Sequence, residues 1–93
     1  MLVLEWKALA REDLLSIIEY VAQDNLDAAL ALTDEIEAKT EGLRQTPKLY
    51  RPGRVGGTRE MVVRPNYLVI YSEDGETVTI LRVLHAAQKW PRA

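Results

Sequence analysis

The sequence predicts an α+β fold in which a helical hairpin packs on a mostly antiparallel sheet, in the order β-α-α-β-β-β. Two observations predict this order. Apolar residues recur at helical spacing through most of residues 8–45, and three β-prone runs separated by short turns occupy residues 59–84. A chain of 93 residues, of which 47% are hydrophobic and 28% charged, is typical of one globular domain. We therefore expect residues 1–93 to fold as a single unit.

The N-terminal half of the chain begins with a strand and continues as a helix. Residues 2–6 form a short β-prone run, which predicts the first strand. From Ala8 the period changes, because Leu14, Ile17, Ile18 and Val21 follow one another at i, i+3, i+4 and i+7. This spacing predicts a helix that continues to residue 24.

A second helix is predicted directly after the first. Asn25 separates the two, since asparagine tolerates the left-handed conformation of a helix terminus and can also cap the helix that follows. The second helix is expected to run to about Gln45 and to be stopped by Pro47. Its predicted apolar stripe consists of Leu26, Ala29, Leu30, Thr33, Ile36, Thr40 and Leu43.

The C-terminal half is predicted to form a loop and three strands. Prolines and glycines make residues 47–58 a loop, after which residues 59–63, 67–72 and 77–84 have strand character. The connections between these runs are short, so we expect adjacent antiparallel hairpins. Apart from Arg82, the last run is apolar on both faces, with Val78, Ile80 and Leu84 on one and Leu81 and Val83 on the other. Such a run is typical of a central strand. One short helical turn is expected over residues 86–90.

Composition excludes several classes of function. The chain has no cysteine and one histidine, which argues against a metal centre, so no metal and no cofactor are expected. No apolar run approaches the roughly 20 residues that a membrane span needs, so we expect a cytoplasmic protein without membrane contact. The net charge of -2 argues against binding of free DNA by the chain alone.

The charge is unevenly distributed along the chain. Residues 1–46 contain four Lys or Arg and ten Asp or Glu, whereas residues 47–93 contain eight and four. A basic second half is consistent either with a face that meets an acidic partner or with ordinary solvated charges. Arg82 and His85 are the most conspicuous polar residues of this half. Arg82 either pairs with a helix carboxylate or serves a site together with His85, which follows the most apolar strand.

Several segments of the sequence resemble the RelE/ParE superfamily of bacterial toxins. These segments are GTREMVV at 57–63, PNYLVIY at 65–71 and ILRVLHAAQKWP at 80–91, together with Trp6 and YVAQDN at 20–25. The resemblance covers nearly the whole chain. It implies a toxin encoded beside a cognate antitoxin in a type II toxin–antitoxin module, with the fold order predicted above.

The superfamily has two branches, and the resemblance is closer to the ParE-like one. RelE-like members cleave mRNA on the ribosome, and they often carry an arginine where this chain has Leu68 and basic residues where it has residues 86–88. ParE-like members resemble poisons of DNA gyrase, which is therefore the expected target. The residues expected to contact the target are Arg59, Arg82, His85, Lys89 and Trp90. The alternatives are a ribosome-dependent mRNA endonuclease that uses Arg59, Arg82 and His85, and an inactivated homologue that acts only with its antitoxin.

The antitoxin is expected to bind apolar surface that one hairpin and one sheet leave uncovered. The resemblance implies a tail that folds on the toxin as a helix in a groove, with acidic residues near the basic second half. The residues expected to bind it are Leu15, Leu32, Arg51, Arg54, Leu68 and Ile70. A homodimer that buries Leu15 and Leu32 is the alternative.

Overall fold

The computed structural model describes residues 1–86, 88, 90 and 91, and the order of its helices and main strands is the predicted one. Its elements are β1 (Val3–Trp6), α1 (Ala8–Asp24), α2 (Leu26–Gly42), β2 (Arg51–Pro52), β3 (Arg59–Arg64), β4 (Tyr67–Glu73) and β5 (Thr77–His85). Within the described residues, no helix is long and apolar enough to cross a membrane. The helical turn predicted over residues 86–90 includes residues 87 and 89, which lie outside the described residues.

The strands form one five-stranded sheet in the order β1-β5-β4-β3-β2. β1 is parallel to β5, and the other three pairings are antiparallel, which confirms the prediction of a mostly antiparallel sheet. The fifth strand is a correction, because β2 lies in the segment predicted to be a loop. β2 has only two residues, and its Pro52 is tolerated because an edge strand can lack one donor.

Asn25 joins the two helices of the hairpin in an extended conformation, with φ −157°. The expectation that Asn25 adopts a left-handed conformation is therefore wrong. The expected cap is confirmed, since Asn25 Oδ1 accepts a hydrogen bond from the Ala28 N–H at 3.0 Å. α2 ends at Gly42, before the predicted Gln45, because the chain tightens into turns in which Gln45 N–H donates to Gly42 O.

The buried face of α2 contains Ala29, Ile36 and Thr40 of the predicted stripe, but it is rotated towards Leu32. Leu32 is 1% exposed and joins Ala29 and Ile36 in the core, whereas Leu26 and Leu30 are 62% and 54% exposed. The expectation that Leu32 offers surface to an antitoxin or to a second copy is therefore wrong. The helix has leucines on two sides, and the sheet covers only the side that carries Leu32, Ile36 and Thr40.

A β-bulge changes which side chains of β5 face the helices. Ile80 pairs with Tyr71 and Arg82 with Ile70, so Leu81 is the additional residue. Strict alternation placed Leu84 on the same face as Val78 and Ile80. In the structure Val83 joins Val78 and Ile80 in the main core, and Leu84 lies in a separate cluster. The bulge thus shifts the second half of β5 by one residue.

Candidate functional site

The sheet has an inner face, which packs on the helices, and an outer face that carries a second apolar cluster. Alternate residues of β4 belong to the two clusters, with Val69 and Tyr71 in the main core and Leu68 and Ile70 in the second. The outer cluster consists of Leu68, Ile70 and Leu84, with Leu81 and Trp90 packed against them. Leu68 and Ile70 are 7% and 0% exposed, so the expectation that they offer accessible surface is wrong for the free chain.

A buried carboxylate organises the basic residues beside this cluster. Glu60 is 3% exposed and lies opposite Ile70 in the β3–β4 pairing. Its Oε1 accepts a hydrogen bond from Arg51 Nη2 at 3.2 Å, and its Oε2 accepts one from the backbone N–H of Arg54 at 3.1 Å. Both arginine side chains are more than half exposed. Arg54 Nε lies 3.5 Å from the same Oε2, so Glu60 pairs with both guanidinium groups at the β2 edge of the sheet.

Arg82 is held by a carboxylate of α1. Asp13 accepts two hydrogen bonds from the Arg82 guanidinium, at 2.7 and 2.9 Å, and a third from the backbone N–H of Val83 at 3.0 Å. β1 ends opposite Ile80, so the rest of β5 lacks a neighbouring strand on that side, and Asp13 supplies the acceptor that the strand would have supplied. The hydrogen bond to Asp13 raises the pKa of Arg82. Of the two roles predicted for Arg82, the structure shows the pairing with a helix carboxylate.

Arg59 and Tyr71 lie opposite each other and hold the segment that precedes β2. Arg59 Nη1 donates to Tyr50 O at 2.8 Å, and Tyr71 Oη donates to Pro47 O at 2.6 Å. Burial raises the pKa of Tyr71 to about 12, which keeps the hydroxyl protonated and able to donate. The Arg59 side chain therefore serves the fold of this segment.

His85 lies at the opposite end of the sheet from Arg59. It is exposed, and its ring meets that of Tyr67 edge to face with the centroids 5.5 Å apart. A cleft of about 310 Å³ between α1 and the end of the sheet is lined by Ser16, Ile17, Tyr20, Asn66, Tyr67 and His85. This cleft contains the uncharged polar groups of Ser16 and Asn66 beside three aromatic rings.

Leu15 lines a groove between β1 and the helical hairpin. It is 61% exposed, and it shares a groove of about 450 Å³ with the half-buried Trp6 and Leu14. Arg11, Glu37 and Glu41 line the same groove. β1 and β2 occupy opposite edges of the sheet, so Leu15 lies far from Arg51 and Arg54. The residues expected to bind the antitoxin thus fall into separate regions.

The described residues place Arg59, Arg82 and His85 in three separate environments, and bring only Arg82 near Trp90, with its guanidinium carbon 6.0 Å from the centre of the indole ring. Arg59 lies with the segment before β2, Arg82 with Asp13, and His85 with Tyr67, while Trp90 packs on the outer cluster and Lys89 lies outside the described residues. A helix carboxylate was expected as one possible partner of Arg82, but Asp13 was not identified as that residue, and Glu60 was missed. The isolated charge of Arg82 in an apolar strand was the signal for Asp13, since such a charge needs a partner. Glu60 directly follows Arg59 in β3, so it gave no such signal.

Comparison with known proteins assigns the family. The family described as "ParE toxin of type II toxin-antitoxin system, parDE" matches residues 4–90. A curated protein of Sinorhizobium fredii, named as the candidate toxin Y4kP, is 34% identical over 89 residues, which cover 96% of this chain and 93% of that protein.

Solved structures are similar over nearly the whole chain. The chromosomal ParDE toxin–antitoxin system of P. aeruginosa contains a chain that matches with a TM-score of 0.80 and 26% identity, covering 91% of this chain and 96% of the other. YafQ of E. coli matches with a TM-score of 0.69 over 94% of this chain and 96% of its own, but at 16% identity it shows the fold alone. The chain therefore belongs to the ParE toxin family of type II toxin–antitoxin systems, within the RelE/ParE superfamily, and this family implies a cognate antitoxin as its partner.

Proposed function

We propose that this toxin inhibits growth by poisoning DNA gyrase and does not cleave mRNA. The observation that carries the proposal is the separation of the three candidate nuclease residues. Arg59 lies opposite Tyr71 in β4 and His85 opposite Tyr67, which are about 13 Å apart along the strand at 3.3–3.4 Å per residue. β4 also separates the strands that carry the two residues. One phosphate cannot contact both side chains in this arrangement.

The state of Arg82 supports the same proposal. Cleavage of RNA without a metal depends on cations that face the phosphate where charge develops. Two of the guanidinium donors of Arg82 are bonded to Asp13, and its charge is compensated there. Leu68, where nuclease members often have an arginine, contributes an apolar side chain to the outer cluster. Neither residue offers a free cation for catalysis.

The end of β5 and the chain beyond it are the proposed contact region for gyrase. His85 is exposed there and Trp90 is half-buried, so both can contact a protein surface. Lys89, which lies between them in sequence, belongs to the same proposal. Arg59 and Arg82 are proposed to act indirectly, since each of them holds a neighbouring segment in place.

Purified toxin is expected to inhibit supercoiling of a relaxed plasmid by gyrase and to increase the amount of cleaved DNA bound to the enzyme. Substitution of one central contact in a protein interface commonly costs about 2 kcal/mol, so His85→Ala should raise the half-inhibitory concentration by roughly 10- to 30-fold. Asp34→Ala is the matched control, because Asp34 is exposed on α2 and should leave inhibition unchanged.

The same preparation distinguishes the other candidate functions. Cleavage of a translated message at codon boundaries, with supercoiling unaffected, would replace the gyrase proposal with the endonuclease. If neither activity appears and expression without the antitoxin is harmless, the chain is an inactivated homologue that acts only with its antitoxin.

We also propose that the antitoxin occupies the groove that Leu15 lines. The groove is continuous with the free edge of β1, and its exposed leucine is the apolar anchor that an amphipathic segment needs. Arg51 and Arg54 lie at the other edge of the sheet. An acidic stretch of the same antitoxin reaches them only if the tail wraps around the toxin.

Leu15→Ala is expected to weaken antitoxin binding by about 10-fold, because truncation of a buried apolar anchor costs about 1–2 kcal/mol. Leu9→Ala is the control, since Leu9 is 49% exposed on the same helix and does not line the groove. Calorimetry or surface plasmon resonance measures both. If affinity is unchanged and Leu15→Ala instead converts a dimer into a monomer, the groove is covered by a second copy of the toxin.

A further inference from the structure

The outer face of the sheet is covered differently from the inner face. Both helices pack on the inner face, while the outer cluster of Leu68, Ile70 and Leu84 receives its apolar cover from Trp90 among the described residues beyond the sheet. Trp90 thus contributes to the burial of Leu68 and Ile70, which were expected at the surface.

The polar contacts that hold Trp90 are weak. Arg54 Nη1 donates to Trp90 O at 3.3 Å, at an exposed position where water competes for both groups. The Arg82 guanidinium carbon lies 6.0 Å from the centre of the indole ring, at the outer limit of a cation–π contact. Each contact contributes little by itself.

The indole of Trp90 also carries an unsatisfied polar group. Its Nε1–H is buried and has no hydrogen-bond acceptor among the residues that the structure describes. A buried donor that has lost water without gaining an acceptor costs free energy. The packed position of Trp90 therefore combines a favourable apolar contact with an unfavourable polar one, and movement of the ring into solvent relieves the second.

We propose that Trp90 is a displaceable cover of the outer face, latched by Arg54, which Glu60 in turn positions. In the closed arrangement Glu60 holds the backbone of Arg54, and the Arg54 side chain reaches the Trp90 carbonyl. Opening requires the loss of this hydrogen bond and of the indole packing, while the strands stay paired. In the open arrangement Leu68 and Ile70 become accessible, and the Arg54 side chain is released from Trp90.

Hydrogen exchange of the free, full-length toxin tests this proposal without any partner. NMR measures exchange of the Trp90 indole N–H and of the Ile70 backbone N–H in the same sample, each relative to its intrinsic rate, and Trp90→Phe assigns the indole signal against that of Trp6. We expect the indole to be protected, but at least about 10-fold less than the Ile70 amide, because local opening is easier than global unfolding.

Arg54→Ala removes the latch and one of the ion-pair partners of Glu60. Loss of one exposed hydrogen bond is worth about 0.5–1.5 kcal/mol, so indole exchange should rise roughly 2- to 10-fold. Exchange at Ile70 should rise at least as much, because the closed structure is the starting state of both the local opening and global unfolding. Arg51→Ala is the matched control, since Arg51 also contacts Glu60 but no contact within the described part of the chain joins it to Trp90. It should raise exchange at Ile70 and leave the indole unaffected.

Three results would overturn the proposal that Trp90 is a displaceable cover. The first is an indole that exchanges only with global unfolding, at the same free energy as Ile70. The second is an indole without any protection, which would mean that the ring does not cover the cluster. The third is an Arg54→Ala variant in which exchange at Ile70 rises while indole exchange is unchanged, which would mean that movement of the ring does not break the Arg54 contact.

Discussion

Asp13→Ala is expected to lower the free energy of unfolding by about 2–4 kcal/mol, which approaches the cost of breaking a buried ion pair. The substitution leaves the Arg82 guanidinium without its carboxylate and the Val83 N–H without its acceptor. Both groups lie in the part of β5 that pairs with β4 but has no neighbouring strand on the β1 side. The loss is expected although alanine favours a helix interior more than aspartate does. Urea denaturation, with the slope compared between variants, measures the change.

Two further variants show whether the ion pair is the cause. Glu41→Ala breaks the exposed pair between Glu41 and Arg44, and it should cost less than about 1 kcal/mol because water screens such pairs. Arg82→Met in the Asp13→Ala background should recover part of the stability, because it removes the uncompensated charge. An Asp13→Ala variant as stable as Glu41→Ala would show that the three hydrogen bonds of Asp13 contribute little to stability.

Leu32→Ala is expected to destabilise the toxin by about 2–5 kcal/mol, the usual cost of truncating a fully buried leucine. Leu32 is 1% exposed and packs in the main core with Ile36 and Met61. The sheet below it cannot collapse into the space that the side chain leaves, since β3 and β4 are paired on both sides. Thermal denaturation followed by circular dichroism should show a Tm lower by at least about 8 °C.

Leu30→Ala provides the control two residues away on the same helix. Leu30 is 54% exposed, so its truncation should change stability by less than about 0.5 kcal/mol. The comparison tests directly which side of α2 faces the sheet. If Leu30→Ala costs as much as Leu32→Ala, the helix is rotated relative to this structure or Leu30 is buried by a second copy.

Local periodicity predicted where the helices and strands lie, but it was less successful in predicting which of their faces are buried. Two overlapping sets of leucines in α2 each have helical spacing, and the sequence of the helix alone does not indicate which set is buried. In the structure Leu32 is buried and Leu30 is exposed to solvent. In β5, alternation assigned Leu84 to the inner face, and the bulge at Leu81 moved it to the outer one. A bulge depends on the register of two strands, which a single strand's sequence does not contain.

The sequence by itself determined the family. It also determined the order of the helices and main strands, the Asn25 cap and the position of the turns, because these depend on residues that are close to one another along the chain. The tertiary structure alone decided which polar groups that are far apart in sequence contact each other. Asp13 and Arg82 are 69 residues apart along the chain, and Arg54 and Trp90 are 36 apart. Such pairs form only when the sheet order brings distant segments together, and local propensities carry no information about that distance.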